Sequence, residues 1–196
     1  MNILDRVKNI ILNPKEEWKV IEQETTPTEK LVTGYLLILA LLPAIGNLIG
    51  YWLVGYRAAY VGYVGGSFGF GLRQAVTAYV TPVVAVFVAA FVINMLADSF
   101  GSKKDFRRAM QLVVYSYTPA LVAGIVMIIP TLGIIATLAG LYGLYLLYIG
   151  LKPMMETPDN RVTAYFVVSL LVMIVASIVV GAIISGIFVG RTMVGI

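Results

Sequence analysis

Five apolar stretches dominate the chain: residues 31–56, 75–97, 112–129, 132–151 and 162–189. Each reaches or approaches the roughly 20 residues that a helix needs to cross a hydrocarbon core about 30 Å thick. The third and fourth are parted only by Pro130 and Thr131. That break predicts a tight helical hairpin, because one continuous apolar helix of about 40 residues is too long for a single crossing. Backbone groups in lipid must pair within their own segment, so the expected fold is all-α, a polytopic integral membrane bundle of five transmembrane helices.

The first 25 residues follow a different pattern. Ile3, Leu4, Val7, Ile10 and Ile11 recur at helical spacing, with Asp5, Arg6, Lys8 and Asn9 placed opposite them. After Asn13-Pro14 a second short helix carries Trp18 and Ile21 on one side. The expectation is an N-terminal interfacial amphipathic helix pair, residues 1–25, lying on the cytoplasmic leaflet ahead of a membrane domain at 26–196. Three helix starts are expected from capping chemistry: Thr26-Pro27-Thr28-Glu29, Ser102 to Asp105 with the helix starting at Lys103, and Thr157-Pro158. Charge runs through the opening segment with no apolar core and cleavage site after it, so no secretory signal is expected.

Composition agrees with this frame. Sixty per cent of residues are hydrophobic and 12% charged, and the mean hydropathy is +0.92, so lipid is the main solvent. The charges also set an orientation. With the N-terminus inside, cytoplasmic segments hold Arg6, Lys8, Lys15, Lys19, Lys30, Lys103, Lys104, Arg107, Arg108, Lys152 and Arg161. Only Arg57, Arg73 and Arg191 fall outside, which places the chain in the cell (inner) membrane with a cytoplasmic N-terminus and an external C-terminus.

Candidate chemistry is sparse. The chain has no cysteine and no histidine, which removes disulfides, thiolate nucleophiles and most zinc, haem and iron–sulfur ligation. No HExxH motif and no paired aspartates stand in the spans, so neither catalysis nor a cofactor is expected, and no nucleic-acid partner. The candidate polar cluster inside the membrane is Asn47, Asn94, Asp98, Ser116, Tyr117, Thr118 and Tyr142. Asn47 follows Pro43, and Ser116, Tyr117 and Thr118 precede Pro119, so two spans carry backbone breaks at depth. Two readings stay open: broken helices lining a polar cavity, or side chains satisfying a kinked backbone. Asp98 ends the second span near Lys103 and Lys104, and Tyr142 is deep enough to need a hydrogen-bond partner, expected near Ser116. Trp18, Lys103, Lys104, Arg107 and Arg108 form the candidate surface for a protein partner or lipid headgroups. Small residues at fourfold spacing, among them Gly46 and Gly50 and then Ala182, Gly186 and Gly190, suit close helix packing or a homodimer through the last span. The glycine- and aromatic-rich stretch 57–73 is too apolar for a free loop and is expected along the outer interface.

The segments YSYTPALVAGI (Tyr115 to Ile125) and LYGLYLLYIGLKPMMETPDNRVTAYFVV (Leu141 to Val168) resemble the prokaryotic branch of the Yip family, the Ypt- and Rab-interacting membrane proteins. The opening NPKEEWKVIEQE (Asn13 to Glu24) is similar to that branch as well. The resemblance implies five spans, a cytoplasmic N-terminus and an external C-terminus. Eukaryotic relatives are associated with Rab GTPases and vesicle formation through a longer N-terminal segment with a DLYGP-like motif. This chain has no counterpart of that motif, so Rab binding is not carried over. The function expected is that of a non-enzymatic membrane adaptor or organiser that recruits partners or shapes the bilayer. The alternative is a transporter or channel for a small neutral or weakly polar solute through the proline-broken helices.

Overall fold

Residues 2–58 and 62–175 are described in the computed structural model. Two short helices, α1 (Ile3–Leu12) and α2 (Pro14–Glu22), open the chain. Asn2 caps α1 by accepting from the Leu4 N–H, and Pro14 starts α2 where its missing N–H costs nothing. Four helices are long and apolar enough to cross a membrane: α3 (Thr28–Val54), α4 (Phe68–Phe100), α5 (Phe106–Ile128) and α6 (Pro130–Met155). A shorter apolar helix, α7 (Val162–Val175), follows. The chain is therefore an all-α membrane bundle. The rest of the expected fifth span, the Ala182-Gly186-Gly190 repeat and the C-terminal tail lie outside the described residues.

Several boundaries differ from the hydropathy pattern for identifiable reasons. α4 starts at Phe68, seven residues ahead of the expected 75. Arg73 and Gln74 lower the hydropathy there, but Phe70 stacks on Tyr56 and meets Tyr51 edge-on, both pairs at 5.4 Å, so aromatic packing carries the extra turns. Ahead of α4, two short strands, β1 (Tyr56–Ala58) and β2 (Gly62–Val64), pair antiparallel, and the chain enters β1 through Gly55 at φ +78°. Thr26 caps nothing; α3 begins at Thr28 after Pro27. Asp105, not Ser102, caps α5, accepting from the N–H groups of Arg107 and Arg108. Ser102 instead bonds Thr157 at 2.9 Å, and Thr157 donates to the Leu151 carbonyl. These two side chains stitch the α4–α5 loop to the α6–α7 loop, so Thr157-Pro158 ends one helix's packing rather than starting the next.

The proline breaks are where the spans meet. α5 is interrupted at Tyr117 and continues from Thr118, with Pro119 in the first turn of the second piece. Gly46 of α3 faces Gly124 of α5 so closely that an added Cβ would lie 2.6 Å from the Gly124 carbonyl oxygen. The core runs through all of these elements, including Leu36, Ile93, Met110, Leu112, Leu146, Leu151 and Tyr165. It also takes in Ile10, Trp18 and Ile21 from the N-terminal helices. The helix pair is present, and Ile10, Trp18 and Ile21 on its inner side are buried in the bundle, whereas Leu4, expected on the same apolar stripe as Ile10, is exposed.

Candidate functional site

The N-terminal pair is joined to the bundle around one arginine. Arg6 is only 4% exposed. Its guanidinium donates to Glu17 Oε1 at 2.5 Å and to Glu24 Oε1, and it lies over the Tyr115 ring, 5.2 Å from the centroid. Glu17 is equally buried, so this is a charge pair taken out of water, held by a guanidinium that bridges two carboxylates and lies on an aromatic face. The helical pattern had set Arg6 on the polar side of α1, and the structure corrects that. Position 6 is three residues after Ile3 and four before Ile10, which puts it on the apolar face. Glu17 comes from α2, whereas Glu24 lies two residues past its end, in the connection to α3.

From Tyr115 the cluster continues inward. Tyr115 meets Trp18 edge-on at 6.4 Å and Tyr35 edge-on at 5.1 Å. Tyr35 sits in a widened turn, Val32–Leu36, where the Leu37 N–H reaches back to Val32. Its hydroxyl pairs with Thr118 Oγ1 at 2.9 Å, beside the Pro119 break. The YSYTP segment thus forms a platform for the N-terminal helices. Two further bonds fix the pair: Arg108 donates to the Glu22 carbonyl at 3.1 Å, and the Tyr142 hydroxyl donates to the Ile11 carbonyl at 2.8 Å. From Lys152 back to Tyr142, α6 contacts the pair over about 15 Å of helix. Replacing both Tyr35 by Phe and Thr118 by Val is expected to cost about 1 kcal/mol or less, whereas either change alone costs more, about 1–2 kcal/mol, because it strands a buried hydroxyl. A double-mutant cycle on detergent thermal unfolding measures the difference.

The candidate residues distribute over separate places. Thr118 belongs to the Arg6 platform through Tyr35. Tyr142 bonds α1 and not the Ser116 region. Asn47 donates to the Pro43 carbonyl at 2.8 Å, and with Tyr117, Gln74 and Thr81 it lines an open groove of about 360 Å³ between α3, α4 and α5. Ser116 and Tyr117 line a second, mainly apolar cavity of about 420 Å³ against α6 and α7. Ser116 Oγ and Asn94 Oδ1 are buried without a partner among the described residues. Asp98 stands at the far end of α4 with Lys104 at 3.4 Å. The seven are therefore not one cluster.

The candidate surface also changes. Trp18 is 1% exposed and belongs to the core, because Gly150 leaves room for its ring against α6. Lys103 pairs with Glu156 at 2.9 Å, Lys104 with Asp98, Arg107 with Asp105 at 3.7 Å, and Arg108 is turned toward Glu22. Sequence reasoning missed Arg6, Glu17, Glu24, Tyr35 and Tyr115. The signal available was an arginine at helical spacing inside an apolar stripe. Set against known proteins, residues 8–188 match the family model of the Yip1 domain. Neither the curated proteins nor the solved structures give a significant match.

Proposed function

We propose that this chain, which belongs to the Yip1-domain family, is a non-enzymatic adaptor or organiser, a multi-pass protein that holds its N-terminal helix pair rigidly for a partner at the cytoplasmic face of the cell membrane. The orientation rests on the placement of lysine and arginine between the spans. One observation carries the functional reading. The inner face of the pair is fixed by Arg6, Trp18 and Tyr115, while Leu4, Leu12 and Val20 remain exposed on its outer face beside Asp5, Lys8 and Glu16. A rigid, mixed apolar and charged outer face suits recruitment of a protein. Insertion as a bilayer wedge needs a free apolar face, and Ile10, Trp18 and Ile21 are already committed to the bundle.

A photo-crosslinking amino acid placed in turn at Leu4, Leu12 and Val20 in cells tests this reading. A single identified protein adduct shared by these sites, absent from a control at the exposed span residue Leu138 and lost with Arg6→Ala, is the expected outcome. Lipid adducts alone at all three sites, or saturable solute flux through the purified protein in liposomes, would overturn it.

A further inference from the structure

Ser116 stands close to the middle of α5, about 15 Å of helix from Phe106, and is 2% exposed. A helical hydroxyl commonly satisfies itself on the carbonyl one turn back, and Thr33, Thr77 and Thr137 do so toward Glu29, Arg73 and Gly133. Ser116 Oγ does not, and it finds no other partner among the described residues. Instead Ser116 lines the cavity of about 420 Å³ between α5, α6 and α7. An unmet donor at this depth is costly, because hydrocarbon offers it nothing.

The lining limits what can enter. No charged residue borders the cavity, and Ser116 and Tyr117 carry its only polar side-chain groups. A charged ligand is disfavoured there, and two hydroxyls are too few partners for the several waters that the volume would admit. A glycerolipid tail would fill the space, but its ester oxygens stay at the interface, about 15 Å from the bilayer centre, and bring no acceptor to Ser116. Room comes from α6, where a Cβ added at Gly140 would meet nothing within 4 Å. Leu144 and Ile174, which also line the cavity, are exposed, so among the described residues a side entrance from the hydrocarbon lies between α6 and α7.

We propose that this cavity binds a small neutral molecule dissolved in the bilayer, an apolar ketone or quinone whose carbonyl accepts a hydrogen bond from the Ser116 hydroxyl. Apolar walls with one or two placed polar groups are the usual form of a small-molecule site, and the volume falls in the usual range. The cavity shares no residue with the outer face of the helix pair.

The test uses the full chain in nanodiscs with benzophenone as the probe, an apolar ketone that adds to nearby C–H bonds under ultraviolet light, and maps the adducts by mass spectrometry. Saturable labelling within residues 113–120, 140–147 and 170–174 is expected. Fluorenone is expected to displace the probe about five times better than fluorene, the same ring skeleton without the carbonyl, at equal concentrations in the bilayer. Ser116→Ala is expected to remove that fivefold preference while leaving displacement by fluorene unchanged, and Gly140→Leu to abolish labelling by filling the cavity. Labelling that does not saturate, equal displacement by the two competitors in the native protein, a preference kept in Ser116→Ala, or labelling kept in Gly140→Leu would overturn the site.

Discussion

Arg6→Ala is expected to lower stability by about 3–5 kcal/mol and to release the N-terminal helix pair from the bundle. The guanidinium is the only described group that neutralises the buried Glu17, so its loss leaves a carboxylate in the core without compensation. Arg6→Lys is expected to recover only part of the loss, because an ammonium cannot bridge Glu17 and Glu24 while lying flat on Tyr115. The double variant Arg6→Met with Glu17→Leu should recover more than lysine does, since it leaves no buried charge unpaired. Thermal midpoints in detergent give the stabilities. Limited trypsin digestion at Lys8, Lys15 and Lys19 reports release of the pair. A midpoint unchanged in Arg6→Ala would show that the cluster holds nothing.

Trp18→Ala carries a loss of similar size, about 3–5 kcal/mol, for a different reason. The indole fills the space between Tyr115 and Gly150, so truncation opens a cavity where α2, α5 and α6 meet. The converse change tests the same fit from the other side. A Cβ at position 150 would lie 2.6 Å from Leu112 Cδ1 and 2.7 Å from Trp18 Cε2, and Gly150→Ala is expected to cost about 1–3 kcal/mol. Because both changes act on one contact, the double variant should lose less than the two single losses together. Additive losses would mean that Gly150 and Trp18 do not share a packing site.

Hydropathy located the four long spans among the described residues because lipid imposes one simple rule on every backbone group inside it. The prolyl hairpin at Pro130 and the amphipathic pattern of residues 3–21 were legible for the same reason, as spacing along a helix. The platform was not legible, because it depends on pairs far apart in sequence: Arg6 with Tyr115, Tyr35 with Thr118, and Tyr142 with Ile11. An apolar face predicts burial, but it does not say whether lipid or protein covers it. Trp18 illustrates the ambiguity, since tryptophan suits a membrane interface and a packed core equally well. Ser102 and Thr157 show a second limit. Each had the local chemistry of a helix cap, and the structure uses both to join two loops 55 residues apart.

The most direct measurement uses the two tryptophans of the chain. Trp52→Phe leaves Trp18 as the only indole, and its fluorescence can be read in vesicles against aqueous iodide and against lipids brominated along the acyl chain. A helix pair docked on Arg6 and Gly150 gives blue-shifted emission protected from both quenchers, with protection lost in Arg6→Ala. Strong quenching of the unaltered pair by brominated lipid would place Trp18 in the bilayer surface, and strong quenching by iodide would place it in water; either result contradicts the docked arrangement.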